Sequence, residues 1–304
     1  PFTPQTEPIK NVHGIDPNPF IDKDGQAYLY WASREIFVAK MKDNMVELAS
    51  DPMVIDNLPQ KGLKEGPYLF ERNGIYYLTY PHVANKIERL EYAIADNPMG
   101  PFKVTGVIMD ETPMGTWTNH QSFIKYKGQW YLFYHQSAYS PNFDKSRSAC
   151  IDSLFFNEDG TIQKVIPTLR GVGLTNASDE IQIDRYSSKS NKGVTDVFLD
   201  TLDTFKGWKA VFSSAGAWVQ YNAVDFGNRQ FNTVSFRAES KTGGKLEVRL
   251  GTASGPLVAT VQVPAGNDMK IVKAPVSGLK KGVQNLVVVS KNNNPVAVDW
   301  VSFE

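Results

Sequence analysis

Lys64-Glu65-Gly66-Pro67-Tyr68-Leu69-Phe70-Glu71-Arg72-Asn73-Gly74-Ile75-Tyr76-Tyr77-Leu78-Thr79 decides the fold, because the first half of the chain contains it in three versions. The earlier version is Asp16-Pro17-Asn18-Pro19-Phe20-Ile21-Asp22-Lys23-Asp24-Gly25-Gln26-Ala27-Tyr28-Leu29-Tyr30. The later one is Asn119-His120-Gln121-Ser122-Phe123-Ile124-Lys125-Tyr126-Lys127-Gly128-Gln129-Trp130-Tyr131-Leu132-Phe133. In each, a polar residue stands nine places before a glycine, and a Tyr-Leu pair begins three places after that glycine. Each copy reads as a strand, a turn at Asp24-Gly25, Asn73-Gly74 or Lys127-Gly128, and a second, aromatic-rich strand, which is a β-hairpin.

Strand-like runs at 36–41, 90–95 and 148–156 follow the hairpins, with turns at Asn97-Pro98 and Asp159-Gly160. Each copy thus holds about four strands over about 50 residues, the size of one propeller blade. Three blades are predicted between residues 14 and 166. Closed propellers have about four to eight. The expectation is therefore that at least one earlier blade was encoded upstream, removed, or resides in another chain.

Beyond residue 166 the blade pattern stops, and Arg170-Gly171-Val172-Gly173-Leu174-Thr175-Asn176 reads as a flexible connection. A boundary near 175 follows, giving predicted domains 1–175 and 176–304. In the second, runs at 217–226, 233–238, 245–250, 257–263, 270–276, 285–290 and 296–303 mostly alternate apolar with polar residues. Short strands at this spacing indicate an antiparallel β-sandwich or jelly roll. No concentrated acid, base or nucleophile set lies there, so a binding or structural module is expected. The predicted fold class is all-β, a partial propeller followed by a sandwich.

Composition narrows the partners. Lysine plus arginine equal aspartate plus glutamate at 32 each, leaving no net field to draw nucleic acid or an anionic membrane; a neutral partner fits better. Thirteen Tyr, 17 Phe and 6 Trp suit both β-cores and the apolar faces of sugars. The single cysteine, Cys150, excludes a disulfide framework and reads as a buried, inert thiol. No apolar run approaches the roughly 20 residues that span a bilayer. Pro1-Phe2-Thr3-Pro4 lacks the features of a signal peptide, so export would use a signal upstream of this chain.

In a propeller the innermost strands converge on the central axis, so matching repeat positions face one cavity. Asp16, Glu65 and Asn119 with His120 hold that position. Two carboxylates aimed at one pocket can divide acid and base work as their pKa values are pushed apart, and glycoside hydrolysis needs this division. Taken singly, Asp16 and Glu65 read equally well as turn residues. Their shared register favours a site.

These residues resemble glycoside hydrolase family 43, five-bladed propeller glycosidases that act with inversion on arabinofuranosides and xylosides. The resemblance spans about residues 10–170. It is carried by Gly14-Ile15-Asp16-Pro17, by Lys64-Glu65-Gly66-Pro67-Tyr68, by Asn119-His120, and by Arg147-Ser148 ahead of Phe155-Phe156-Asn157-Glu158-Asp159-Gly160. It implies a five-bladed propeller in which Glu65 is the general acid, Asp16 tunes and orients it, and Arg147 contacts substrate. His120 resembles the axial histidine that reaches a metal ion, often calcium, or water in the channel. Arg147 also reads as part of a solvated turn after Asp144-Lys145-Ser146. The family's base is an aspartate in the first blade, usually in a Pro-Asp-Pro setting, and none precedes Asp16 here. The isolated chain is therefore expected to be inactive, with the base on an N-terminal propeller fragment.

Trp218-Val219-Gln220-Tyr221-Asn222-Ala223-Val224-Asp225-Phe226-Gly227 and Val298-Asp299-Trp300-Val301 resemble family 6 carbohydrate-binding modules. That resemblance implies a structural calcium at Gln182, Asp184 and Asp299, although Gln182 reads equally as a plain strand residue. Gly266-Asn267-Asp268-Met269-Lys270 lacks the tryptophan expected beside the sugar, leaving Trp208 and Tyr221 as the available rings. The resemblances together imply a secreted, periplasmic or cell-surface α-L-arabinofuranosidase on arabinoxylan. A β-xylosidase, an endo-arabinanase and a non-catalytic carbohydrate-binding protein are the alternatives.

Overall fold

The computed structural model describes residues 5–111, 118–139, 145 and 147–304. The chain divides into two compact units, 1–167 and 168–304.

In the first unit the repeats form three antiparallel sheets with strands in chain order. β1 (Ile15–Ile21), β2 (Ala27–Ser33), β3 (Glu35–Lys40) and β4 (Met53–Val54) make one blade. β5 (Tyr68–Arg72), β6 (Ile75–Val83), β7 (Glu88–Ala95) and β8 (Lys103–Met109) make the second. β9 (Ser122–Tyr126), β10 (Gln129–Gln136) and β11 (Ser148–Leu154) make a three-stranded third among the described residues, where four strands were expected. Residues 140–144, part of a loop expected to wall the pocket, lie outside the described residues.

Strand alternation explains why the middle blade is aromatic throughout. Successive side chains point to opposite faces, and both faces of this blade are covered. Tyr76, Leu78 and Tyr80 of β6 pack with Tyr28, Tyr30 and Val38 of the first blade. Tyr77, with Phe70, Leu90 and Tyr92, faces Phe123 and Leu132 of the third. Phe70 stacks on Tyr77 with centroids 4.8 Å apart and meets Phe123 at 4.9 Å and Trp130 at 5.1 Å. Cys150 proves half-buried rather than buried, its sulfur 3.1 Å from Gln136 Nε2.

The second unit is a sandwich of two sheets. One joins β12 (Thr175–Asn176), β14 (Ser188–Lys189), β17 (Trp218–Asp225), β22 (Val283–Ser290), β19 (Gly244–Leu250) and β20 (Leu257–Val263). The other joins β13 (Ile181–Gln182), β15 (Val194–Phe198), β16 (Trp208–Phe212), β23 (Val296–Phe303), β18 (Thr233–Glu239) and β21 (Lys270–Pro275). Pairing is antiparallel except for β12 on β17. Val234, Phe236 and Ala238 face the shared core opposite Leu246, Val248 and Leu250, and Phe226, Phe231 and Phe303 meet edge to face. The sequence pattern did not contain β12 to β16, whose short length leaves too few alternations to read. The connection expected from Arg170, and the two residues before it, belong to this unit, with Leu169 packed on its core.

Because Phe70 packs at once on Tyr77, Phe123, Trp130 and Phe156, truncating it empties a ring-sized volume in the core between the second and third blades. Phe70→Ala is expected to cost about 3–5 kcal/mol, read as a lower urea midpoint at unchanged slope.

Candidate active site

Glu65 lies in the segment leading into β5, with no regular ladder of its own, so neighbouring blades place it. The register of β1 with β2 shifts between Ile15 and Asn18, and Asp16 sits there at φ +58°. Such a bulge re-aims a side chain out of the strand's alternation. Asp16 Oδ2 accepts the Gly66 N–H at 3.1 Å, and Asn18 Oδ1 accepts the Leu69 N–H at 3.0 Å. From the third blade, Gln121 Nε2 donates to the Gly66 carbonyl at 2.9 Å and to Thr79 Oγ1 at 3.1 Å. Gly66 itself needs to be glycine: its φ is +53°, and a Cβ would come within 2.9 Å of the His120 ring.

Around Glu65 the structure assembles two groups. His120 Nε2 lies 3.6 Å from Glu65 Oε1. Glu88, at the start of β7, is 3% exposed, and one ligand atom each from Glu65, Glu88 and His120 lie within 4.8 Å of one another. Burial, then a hydrogen bond and the charge of Glu65, push the Glu88 carboxyl up to about 9, against the Asn119 backbone and the positive charge of Arg147. Its Oε2 is buried with no hydrogen-bond partner. Two oxygens and an imidazole nitrogen in this space could hold a metal ion, and the orphaned Oε2 fits one.

The expected residues divide as follows. Asp16, Glu65 and His120 come together. Arg147 is exposed, and its charge reaches Glu88 and His135. Asn119 is buried and structural: its Oδ1 accepts the His135 N–H at 3.3 Å. His135, stacked 6.3 Å from His120, is held down to about 4, first by burial and then by the charges of Arg147 and His120, so it is neutral at pH 7. Sequence reasoning missed Glu88, since it lies outside the repeated hairpin motif. The one available signal was a carboxylate on the strand directly following Tyr76-Tyr77-Leu78.

In the sandwich, Asp184 and Asp299 are 3% and 4% exposed. The Ile183 N–H bonds the Asp299 carbonyl at 3.0 Å, bringing the two acids into one neighbourhood. Burial raises Asp184 to about 6, with Asp196 and Asp299 adding to the shift and Arg185 opposing it. Arg185 Nε lies 3.2 Å from Asp184, and Arg237 bonds Asp299. Asp196 Oδ1 is buried and without a hydrogen-bond partner, so a hard cation fits here too. Gln182 is half-buried, its amide 3.4 Å from the Glu180 carbonyl. Of the available rings, Tyr221 belongs to the core, and Trp208 stacks on Phe198 at 4.1 Å.

Residues 1–162 match glycosyl hydrolases family 43, and residues 185–304 match the family 6 carbohydrate-binding module. A β-xylosidase of Xylanibacter ruminicola is 29% identical over 54% of this chain and 62% of its own length. An arabinoxylan arabinofuranohydrolase of Paenibacillus polymyxa is 27% identical over 90% of this chain and 48% of its own, and one of Bacillus subtilis is 28% identical over 86% and 57%. The crystal structure of a family 43 arabinoxylan arabinofuranohydrolase from Bacillus subtilis in complex with cellotetraose superposes with a TM-score of 0.52 at 26% identity, covering 99% of this chain and 69% of that one. The chain thus spans about half to three-fifths of the length of these curated relatives.

A carboxyl whose folded pKa lies above its unfolded value binds more protons in the folded state, so stability is full below the unfolded pKa and falls as pH rises through the folded one. For Glu88 that window runs from the ordinary 4.5 to about 9. With chelator present, Glu88→Gln is expected to flatten the decline of the melting temperature across this range; an unchanged decline would place the titration elsewhere.

Proposed function

We propose a function for this chain, which belongs to glycosyl hydrolases family 43: its blades supply the general acid of an inverting α-L-arabinofuranosidase acting on arabinoxylan, and its sandwich serves as a carbohydrate-binding module. The observation that carries the reading is the enclosure of Glu65 between Glu88, His120 and the Asp16-held Gly66. Arabinoxylan side chains are favoured over xylosides because the two relatives matching across both units, over 90% and 86% of this chain, are named arabinoxylan arabinofuranohydrolase.

On this reading Glu65 delivers a proton to the departing glycosidic oxygen as the C–O bond breaks. Glu88, neutral below about 9, hydrogen-bonds Glu65 from the buried side. Asp16 orients the acid by fixing the adjacent Gly66 N–H. Arg147 meets the sugar at the rim. Inversion needs a carboxylate base across the ring, roughly 6.5–9.5 Å from the acid, and here a blade other than these three supplies it. Calcium would be held by Gln182, Asp184 and Asp299 in the sandwich, with Asp196 beside them, and a second ion in the propeller channel would lie near His120. It would neutralise buried carboxylates. A polymeric substrate places the protein outside the cell, as a secreted or surface enzyme.

Two measurements follow. Product analysis of the complete protein on arabinoxylan, arabinan and xylan is expected to show arabinose from arabinoxylan, lowered about 10²–10⁴-fold by Glu65→Gln; xylose as first product, or insensitivity to that change, contradicts the reading. Calcium is expected to raise the sandwich's melting temperature and Asp184→Asn to remove the increment, checked by calorimetry with and without chelator.

A further inference from the structure

The segment carrying Glu65 is anchored on both sides of the acid, at Gly66 by the neighbouring blades and at residues 61–64 by its own. At the other end, residues 61–63 lie outside any strand, joined to β6 by the isolated Lys64–His82 bridge and the Val83 N–H to Leu63 carbonyl bond at 3.0 Å. His82 closes this end. Its ring is 5% exposed, with Nε2 2.8 Å from the Lys61 carbonyl and Nδ1 2.8 Å from Glu91 Oε1. A carbonyl only accepts, so Nε2 carries the hydrogen. Glu91 is in turn fixed by Arg89 Nε at 2.6 Å. The backbone has been fitted to the ring: Gly62 takes φ +84°, and a Cβ there would stand 2.7 Å from Nε2 and 2.3 Å from the Val83 carbonyl. Lys64, 2% exposed, adds its ammonium 3.4 Å from the Gly62 carbonyl and 3.7 Å from Glu35.

We propose that His82, locked by Glu91 and Arg89, is a positioning residue for the acid, clamping Lys61 so that the segment ending at Gly66 presents Glu65 to the leaving oxygen. The proposal rests on the reading of Glu65 as general acid. His82 makes no contact with substrate on this account; it acts through four residues of backbone. Without the ring the Lys61–Gly62 turn is released, and this side of the acid keeps only the backbone bonds at Leu63 and Lys64. A displacement of about 1 Å is enough to cost about 10²-fold when a group must meet a reacting atom.

The test separates a misplaced acid from a loosened fold. A leaving group that departs without a proton, such as dinitrophenol, does not need Glu65, whereas an alkoxide does. In the complete protein, His82→Ala is expected to lower kcat, with KM little changed, by about 10–100-fold on an alkyl arabinofuranoside while sparing the dinitrophenyl one. His82→Gln, whose amide can still donate to the Lys61 carbonyl, is expected to recover most of the loss. Amide hydrogen exchange at Gly66, and at Val83, whose N–H bonds the Leu63 carbonyl, is expected to quicken in His82→Ala. Equal losses on both substrates, or unchanged exchange in the segment, would overturn the proposal. If the unaltered protein turns over neither substrate, the hydrolase reading fails, and the exchange measurement alone decides the clamp. Should His82→Ala not fold, Glu91→Gln takes its place, with the same split between substrates and the same quickened exchange expected.

Discussion

The hydrogen bond from the Gly66 N–H to Asp16 Oδ2 ties two propeller blades together at the point where their chemistry meets. It requires a bulge at Asp16 to turn the carboxylate sideways, a glycine at 66 to take the left-handed φ, and an extended chain on either side. An acid carried on a segment without a ladder would otherwise wander. Here Asp16 and Gln121 hold that segment from opposite blades, and His82 holds it from within its own. Blade packing through Phe70, Tyr77 and Tyr80 keeps those three sources of hydrogen bonds in register.

The electrostatics follow from the same enclosure. Bringing Glu65 and Glu88 into one half-closed space costs solvation of at least one charge, and the more buried partner, Glu88, gives up its charge first. His135 loses its proton for the corresponding reason, since burial disfavours its charged form and the charge of Arg147 adds to that. Glu65 is thus the more accessible of the pair, half-buried where Glu88 is buried. That asymmetry lets one carboxyl exchange protons with a substrate while the other shapes its surroundings.

Much of this was legible in the sequence because hairpins repeat. A nine-residue offset between a polar residue and a turn glycine is a register statement, and register puts Asp16, Glu65 and Asn119, with His120 beside it, on one axis without further information. The period-2 alternation of Thr233 to Ala238 and Lys245 to Leu250 likewise announces a sandwich with one buried face. What stayed hidden has a common physical origin. Glu88, Glu91 and Asp196 acquire their importance from burial and from partners on other strands, neither of which leaves a periodic trace. His82, near the end of β6, reads from the sequence as structural or as lining the cleft; the fit of Gly62 against its ring is visible only in the structure.

Chemical-shift mapping with an arabinofuranosyl-substituted xylo-oligosaccharide tests most directly whether these blades form one sugar-sized site. The account predicts saturable shifts at the Gly66 amide and the His120 ring, lost when Glu65 is replaced by a bulky side chain. Shifts confined to the sandwich, with Gly66 and His120 untouched at saturating sugar, would contradict it.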